Sequence, residues 1–159
     1  MRRSYQRQKI YLLDTWPVSG EAFGMSIEIT SVSALKAIEA GKIEATELGI
    51  PFTIVIVDAG GYLVGASRMD GAALASVELS QSKARTSVLF AQPTKNLSGA
   101  VQPGAPLYGI EAGTRDPLIF LAGGVPVIDP DGRLVGAIGV GGGFPDQDHQ
   151  VAEAVLAGL

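Results

Sequence analysis

From Thr30 onward the spacing of apolar and polar positions switches between a helical period and a strand period, and the switches mark the elements. Over Thr30–Leu48 the spacing is helical. Leu35, Ile38, Ala45 and Leu48 fall near one face with Ala34 and Ala37 beside it, while Glu39, Lys42 and Glu44 lie opposite. Thr30 or Ser31 can cap the start, Ser33 is a further candidate, and Gly49-Ile50-Pro51 ends the run. Gly41 lowers helix propensity but lets a neighbour come close. Phe52–Asp58 is almost continuously apolar, which predicts a strand covered on both faces. Ala59-Gly60-Gly61 then turns the chain, and Tyr62–Arg68 returns as the second strand of a hairpin. A second helix is predicted over about Ala73–Ala91, with Leu74, Val77, Ala84, Val88 and Ala91 near one face, Gln81 interrupting it and Pro93 stopping it. One short turn and a loop follow over 94–104, and Leu107–Ala112 reads as another short helical turn.

The stretch Leu118–Val155 carries the densest signals. Two β-rich runs, Leu118–Ile128 and Arg133–Val140, are joined by Asp129-Pro130-Asp131-Gly132, whose Pro and Gly suit a tight turn. Pro145-Asp146-Gln147-Asp148 opens a final helix with acidic residues at its positive end. The order α-β-β-α-loop-β-β-β-α, with tight connections between neighbours, predicts an α+β fold: a five-stranded, mainly antiparallel sheet flanked by helices. Both hairpins share the pattern aliphatic-Asp-turn-Gly-x-Leu-Val-Gly-Ala, at 57–66 and 128–137. Their flanks do not match, which favours one turn solution used twice over an internal duplication.

Composition narrows the function classes. The 159 residues suit one domain with a real core, aliphatic and Ala-rich because aromatics are only 6%. Residues 1–24 read as an N-terminal extension: they hold Arg2, Arg3, Arg7 and Lys9, whereas residues 25–159, the single domain, hold 8 basic and 14 acidic residues. Tyr11, Leu12, Leu13 and Trp16 of that extension could pack on a neighbouring subunit. With a net charge of −4 and no basic cluster beyond the extension, nucleic acid is not an expected partner. There is no Cys, hence no disulfide, thiolate nucleophile or Cys-based metal site. No apolar run approaches a membrane span, and a cytoplasmic location is expected.

Three words of the sequence resemble the GlcG/HbpS family of haem-binding and haem-degrading proteins, which includes the C-terminal domain of PduO-type proteins. They are VDAGGYLVGASRMDGA at 57–72, SKARTSVLFAQPTKNL at 82–97 and AGGVPVIDPDGRLVGAIGVGGGFPDQDHQVAEA at 122–154. The resemblance spans about 26–159 in order. It implies a profilin-like α/β/α fold, a homo-oligomer, and haem, a related tetrapyrrole or a small metabolite as ligand. The positions carried over are Arg68, Met69, Lys83, Thr86, Gly123, Gly124, Pro126 and Asp148. The chain departs from the pattern at Gly141, where a serine is frequent, and at His149, where a glutamate is usual. Its first helix also has no histidine, which some haem-binding relatives use there.

The candidate chemistry is sparse. His149, the single histidine, could ligate haem iron or shuttle a proton, or be a solvated first-turn residue. One histidine without cysteine makes a protein-only zinc site unexpected. Lys83, with Thr86 on the same face, is the choice for a pocket over Arg85; with Arg68 it could hold a carboxylate, or it could form a surface salt bridge. Gly139-x-Gly141-Gly142-Gly143 is not a Rossmann fingerprint, because only 16 residues follow it. It reads either as a backbone nest for an anion or as close packing, and Gly123-Gly124 carries the same alternatives. Asp58 and Asp129 read as turn caps. Two functions therefore compete: an oligomeric tetrapyrrole-binding protein, and an enzyme on a small anionic catabolic intermediate using Lys83, Arg68 and Asp148, with His149 also a catalytic candidate. A ligand-free accessory protein is a third.

Overall fold

A computed structural model describes residues 28–159, so the expectations for residues 1–24 lie outside the described residues. The elements are α1 (Ser31–Leu48), β1 (Thr53–Asp58), β2 (Leu63–Arg68), α2 (Ala75–Phe90), α3 (Thr94–Leu97), a 3-10 turn (Ile110–Gly113), β3 (Gly124–Ile128), β4 (Leu134–Gly141) and α4 (Pro145–Ala157). Helix α1 starts where a hydroxyl can satisfy its first amides. Thr30 accepts from the Ser33 N–H, and the Ser33 hydroxyl takes the Thr30 N–H in return.

The strands form one antiparallel sheet in the order β2-β1-β4-β3. Among the described residues there are four strands, not five. The run expected to begin at Leu118 becomes a strand only at Gly124, because the preceding backbone bonds to helix side chains instead of a neighbouring strand. The Ile119 N–H donates to the Thr86 hydroxyl at 3.0 Å, and the Leu121 carbonyl accepts from the Thr94 hydroxyl at 2.6 Å. Gly123, at φ +115°, then redirects the chain.

β1 is buried on both faces, and its alternation sorts the core into two layers. Ile54 and Ile56 join Ile138 and Val140 of β4 against α1 and α4. Val55 and Val57 join Ala137 against Ala84 and Val88 of α2. Helices thus cover both faces of the sheet, giving an α/β/α arrangement of the α+β class.

The buried faces of two helices differ from the hydrophobic pattern. On α1 the stripe is Ala34, Ala37, Ile38, Gly41 and Ala45, and Leu35 is 56% exposed. On α2 the stripe is mostly polar, including Ser76, Ser80, Lys83, Thr86 and Ser87, while Leu74 is 78% exposed. Closeness explains it: a Cβ on Gly139 of β4 would collide with the Ser80 carbonyl oxygen, so only small side chains fit between helix and sheet. Their hydroxyls are satisfied. Ser80 donates within reach of the Thr53 carbonyl at 2.9 Å and the Ser76 carbonyl at 2.6 Å, and the Thr53 and Ser76 hydroxyls lie 2.7 Å apart.

Candidate functional site

Two hydrogen-bonded clusters gather most of the residues singled out from sequence. In the first, Lys83 projects from α2 through the sheet end to α4. Its Nζ donates to Asp148 Oδ2 at 2.5 Å and to the Val140 carbonyl at 3.0 Å. The two side chains are 2% and 5% exposed. Asp148 Oδ1 accepts the Gly143 N–H at 2.9 Å. The anion at this glycine loop is therefore the chain's own carboxylate, and Gln147 Oε1 takes the next amide, that of Phe144, at 2.9 Å. Burial pushes the Asp148 carboxyl above its ordinary range, against the opposing pull of the Lys83 ammonium and the Gly143 and Gly142 amides.

The glycines around this ion pair are packed. A Cβ on Gly123 would meet the Val140 carbonyl at 2.7 Å and Lys83 Nζ at 3.0 Å. One on Gly124 would meet the Lys83 carbonyl at 2.5 Å, and one on Gly141 would meet the Ser80 hydroxyl at 3.0 Å. Gly142, at φ +146°, abuts the Pro51 carbonyl. Thr86 is buried, donating to the Ser82 carbonyl at 2.7 Å and accepting from Ile119. Pro126 sits half-buried on the edge strand β3, where its missing N–H costs no ladder bond. Arg68, at the end of β2, turns to the Ala72 carbonyl, with Nη2 at 2.7 Å and Nε at 3.2 Å. Its hydrogen bonds do not converge with those of Lys83.

The second cluster surrounds His149. Its Nε2 lies 2.6 Å from Lys95 Nζ and 3.3 Å from Glu153 Oε1, while its Nδ1 is buried without a partner. An ammonium donating to Nε2 leaves the proton of a neutral ring on Nδ1. Burial, and then the Lys95 charge, lower the His149 pKa, with Glu153 and Asp146 opposing. Sequence reasoning missed Lys95, which lies 54 positions away and shares no local motif with the histidine.

Asp58 Oδ1 accepts from the Gly60 and Tyr62 amides, and Asp129 Oδ1 from the Asp131 and Arg133 amides. The repeated hairpin word is one turn built twice. Among the described residues no group of three or more His, Asp or Glu side chains is placed to hold a metal, and no helix is long and apolar enough to cross a membrane.

A groove of about 520 Å³ opens between the β1–β2 hairpin and α2, the largest of three described. Val55, Val57, Leu63 and Pro117 supply apolar lining; Tyr62, Arg85 and Asp116 supply polar lining. Arg85 Nη2 pairs with Asp116 Oδ2 at 2.9 Å, and its Nε is buried without a partner. The sequence reading passed over Arg85 in favour of Lys83 because both lie on one helix and only the fold decides which is sealed.

In this α/β/α domain Lys83 and Asp148 are closed on each other. The chain belongs to the HbpS-like family, described as haem-degrading protein HbpS-like, whose model matches residues 29–157. It is 38% identical over 128 residues to an uncharacterized 15.0 kDa protein of the dhaT-dhaS intergenic region of Citrobacter freundii, covering 80% of this chain and 89% of that protein. It is 40% identical over 103 residues to protein GlcG of Escherichia coli K12, covering 65% of this chain and 73% of that protein. Among solved structures it resembles the PduOC:heme complex with a TM-score of 0.78 and 34% identity, over 84% of this chain and 96% of that one.

Proposed function

We propose that this chain is an oligomeric haem- or tetrapyrrole-binding protein of the GlcG/HbpS type. The observation that carries this reading is its likeness to the PduOC:heme complex across nearly that whole chain. The described side chains fit such a ligand in kind. Exposed phenols at Tyr62 and Tyr108 are oxygen donors of a type that holds haem iron, and cationic side chains can meet propionates. His149 does not fit as an axial ligand, since one ring nitrogen meets Lys95 and the other is buried. Bound haem would supply a redox-active iron; the chain would supply the slot, the charge and the exclusion of water.

No observation favours the enzymic reading. It requires Lys83, Asp148 and Arg68 to face a substrate, whereas Lys83 and Asp148 are closed on each other and Arg68 on Ala72. Titration of the purified full chain with haemin tests the proposal. A saturable, shifted Soret band is expected, and its absence would overturn the reading. Light scattering on the same sample is expected to give a mass of more than one chain.

A further inference from the structure

Helix α1 turns a second stripe to solvent, directly opposite the one it buries. At about 100° per residue, Ala34, Ala37, Ile38, Gly41 and Ala45 centre on one side. Val32, Lys36, Glu39 and Ile43 centre on the other, and all four are exposed. Val32 is 77% exposed and Ile43 63%, and Leu35 flanks them at 56%. Single exposed apolar residues are ordinary, but three large ones aligned on one helix face make a patch. The groove beside Ser33 carries that patch past the helix start, with Ile128 and Leu159 exposed along it.

The spacing and charge of the stripe say what covers it. Val32, Lys36, Glu39 and Ile43 follow one another at steps of 4, 3 and 4, the a/d spacing of a helix–helix seam. An antiparallel seam sets each a position against a d position of the other helix. Centred between Ala37 and Ile38, a second α1 would bring the partner subunit's Ile43 onto Val32 and the partner subunit's Glu39 onto Lys36. A two-fold axis makes each of these layers twice. The outer layers are apolar, and the inner ones join opposite charges. A parallel pair would set Lys36 against the partner subunit's Lys36. An antiparallel pair centred on Glu39 would set carboxylate against carboxylate. Glu39 Oε1 meets Lys42 Nζ of its own helix at 2.8 Å, an exposed bond that leaves the carboxylate room for a second ammonium. An unrelated partner has no reason to match this pattern, whereas a second copy matches it by symmetry.

We propose that the exposed face of α1 is a self-association surface, on which a second copy of this chain lays its own α1 antiparallel, with Val32 against the partner subunit's Ile43 and Lys36 against the partner subunit's Glu39. This rests on the oligomeric part of the reading above and is independent of haem. The seam is short and half ionic, so the association is reversible and weakens with salt.

The test is the mass of the full chain, without haemin, by sedimentation over a concentration series. Wild type is expected to self-associate, and Ile43→Asp to weaken that association at least tenfold. Lys36→Glu and Glu39→Lys each set like charges across the seam and are expected to weaken it about tenfold. The two together restore opposite charges and are expected to recover wild-type association. Leu74→Asp, at an exposed leucine ahead of α2, is expected to leave it unchanged. The chain has no Cys, so Val32→Cys/Ile43→Cys carries the only thiols. They stand about 16 Å apart along one helix, too far to join within a chain, and mild oxidation is expected to give a covalent dimer. The substituted α1 positions point away from the core, and a far-UV spectrum matching wild type establishes that each variant is folded. If wild type associates but Ile43→Asp associates equally, the double charge exchange recovers nothing, or the thiol variant stays uncoupled, this face is wrong and the oligomeric reading survives. If wild type keeps the mass of one chain at every concentration, the oligomeric reading and this interface fail together, and the haemin titration still decides the ligand.

Discussion

Lys83 Nζ and Asp148 Oδ2 meet at 2.5 Å across 65 positions of sequence, out of contact with solvent. The pair ties α2 to the start of α4, and Lys83 also holds the end of β4 through the Val140 carbonyl. Removing one partner strands a buried charge, at a cost of about 3–5 kcal/mol. Lys83→Met and Asp148→Asn should each lower unfolding free energy in urea by that order, and Lys83→Met/Asp148→Asn by less than the sum. Equal additive losses would mean the two groups do not neutralise each other.

Gly139→Ala tests the contact between helix and sheet. The added methyl would collide with the Ser80 carbonyl and lie 2.6 Å from the Ala84 nitrogen, both backbone atoms that cannot swing aside. The expected loss is about 3 kcal/mol, the upper end for overpacking. A glycine at an open position, Gly99→Ala, has nothing within 4 Å and serves as the control. Urea midpoints compare the two.

Ala91 ends α2 in the left-handed region at φ +49°, the one non-glycine with positive φ among the described residues. Ala91→Gly removes the clash of its Cβ with its own backbone, and a gain of about 0.5–1 kcal/mol is expected. Thermal unfolding should shift upward; a downward shift would show that the methyl contributes more in contacts than it costs in conformation.

His149 gives the pH dependence. Its folded pKa lies below 6.5, so between the two values the unfolded chain binds the proton and the folded chain does not. Stability from this group is therefore complete above 6.5 and is lost as pH falls through the window beneath it. As the single histidine, its ring proton can be followed by NMR without assignment. Lys95→Met should raise the midpoint, since the Lys95 charge is among the causes of the lowering.

The legible parts of the sequence were those decided locally. Thr30, one of three candidate caps, announced the start of α1, Asp58 and Asp129 announced their turns, and the almost continuously apolar run of β1 announced cover on both faces. What escaped was decided at a distance. The buried face of α2 is polar because Gly139 brings the sheet too close for leucine, so Leu74 turns to solvent and Ser80 inward. Lys83 and Asp148 were both singled out, yet nothing in their neighbourhoods says that each is the other's partner. The missing fifth strand was lost to the hydroxyls of Thr86 and Thr94, whose positions in sequence give no hint that they reach the 119–124 backbone.

The two borders of the sheet are not equivalent. β3 presents Pro126 at its middle, so a strand arriving there finds no amide where it needs one. β2 on the opposite border has no proline, and its backbone can template a further strand. Growth by strand addition is therefore polar. Among the described residues a strand can be added at β2 but not in the same way at β3, so pairing through β2 would close after two chains.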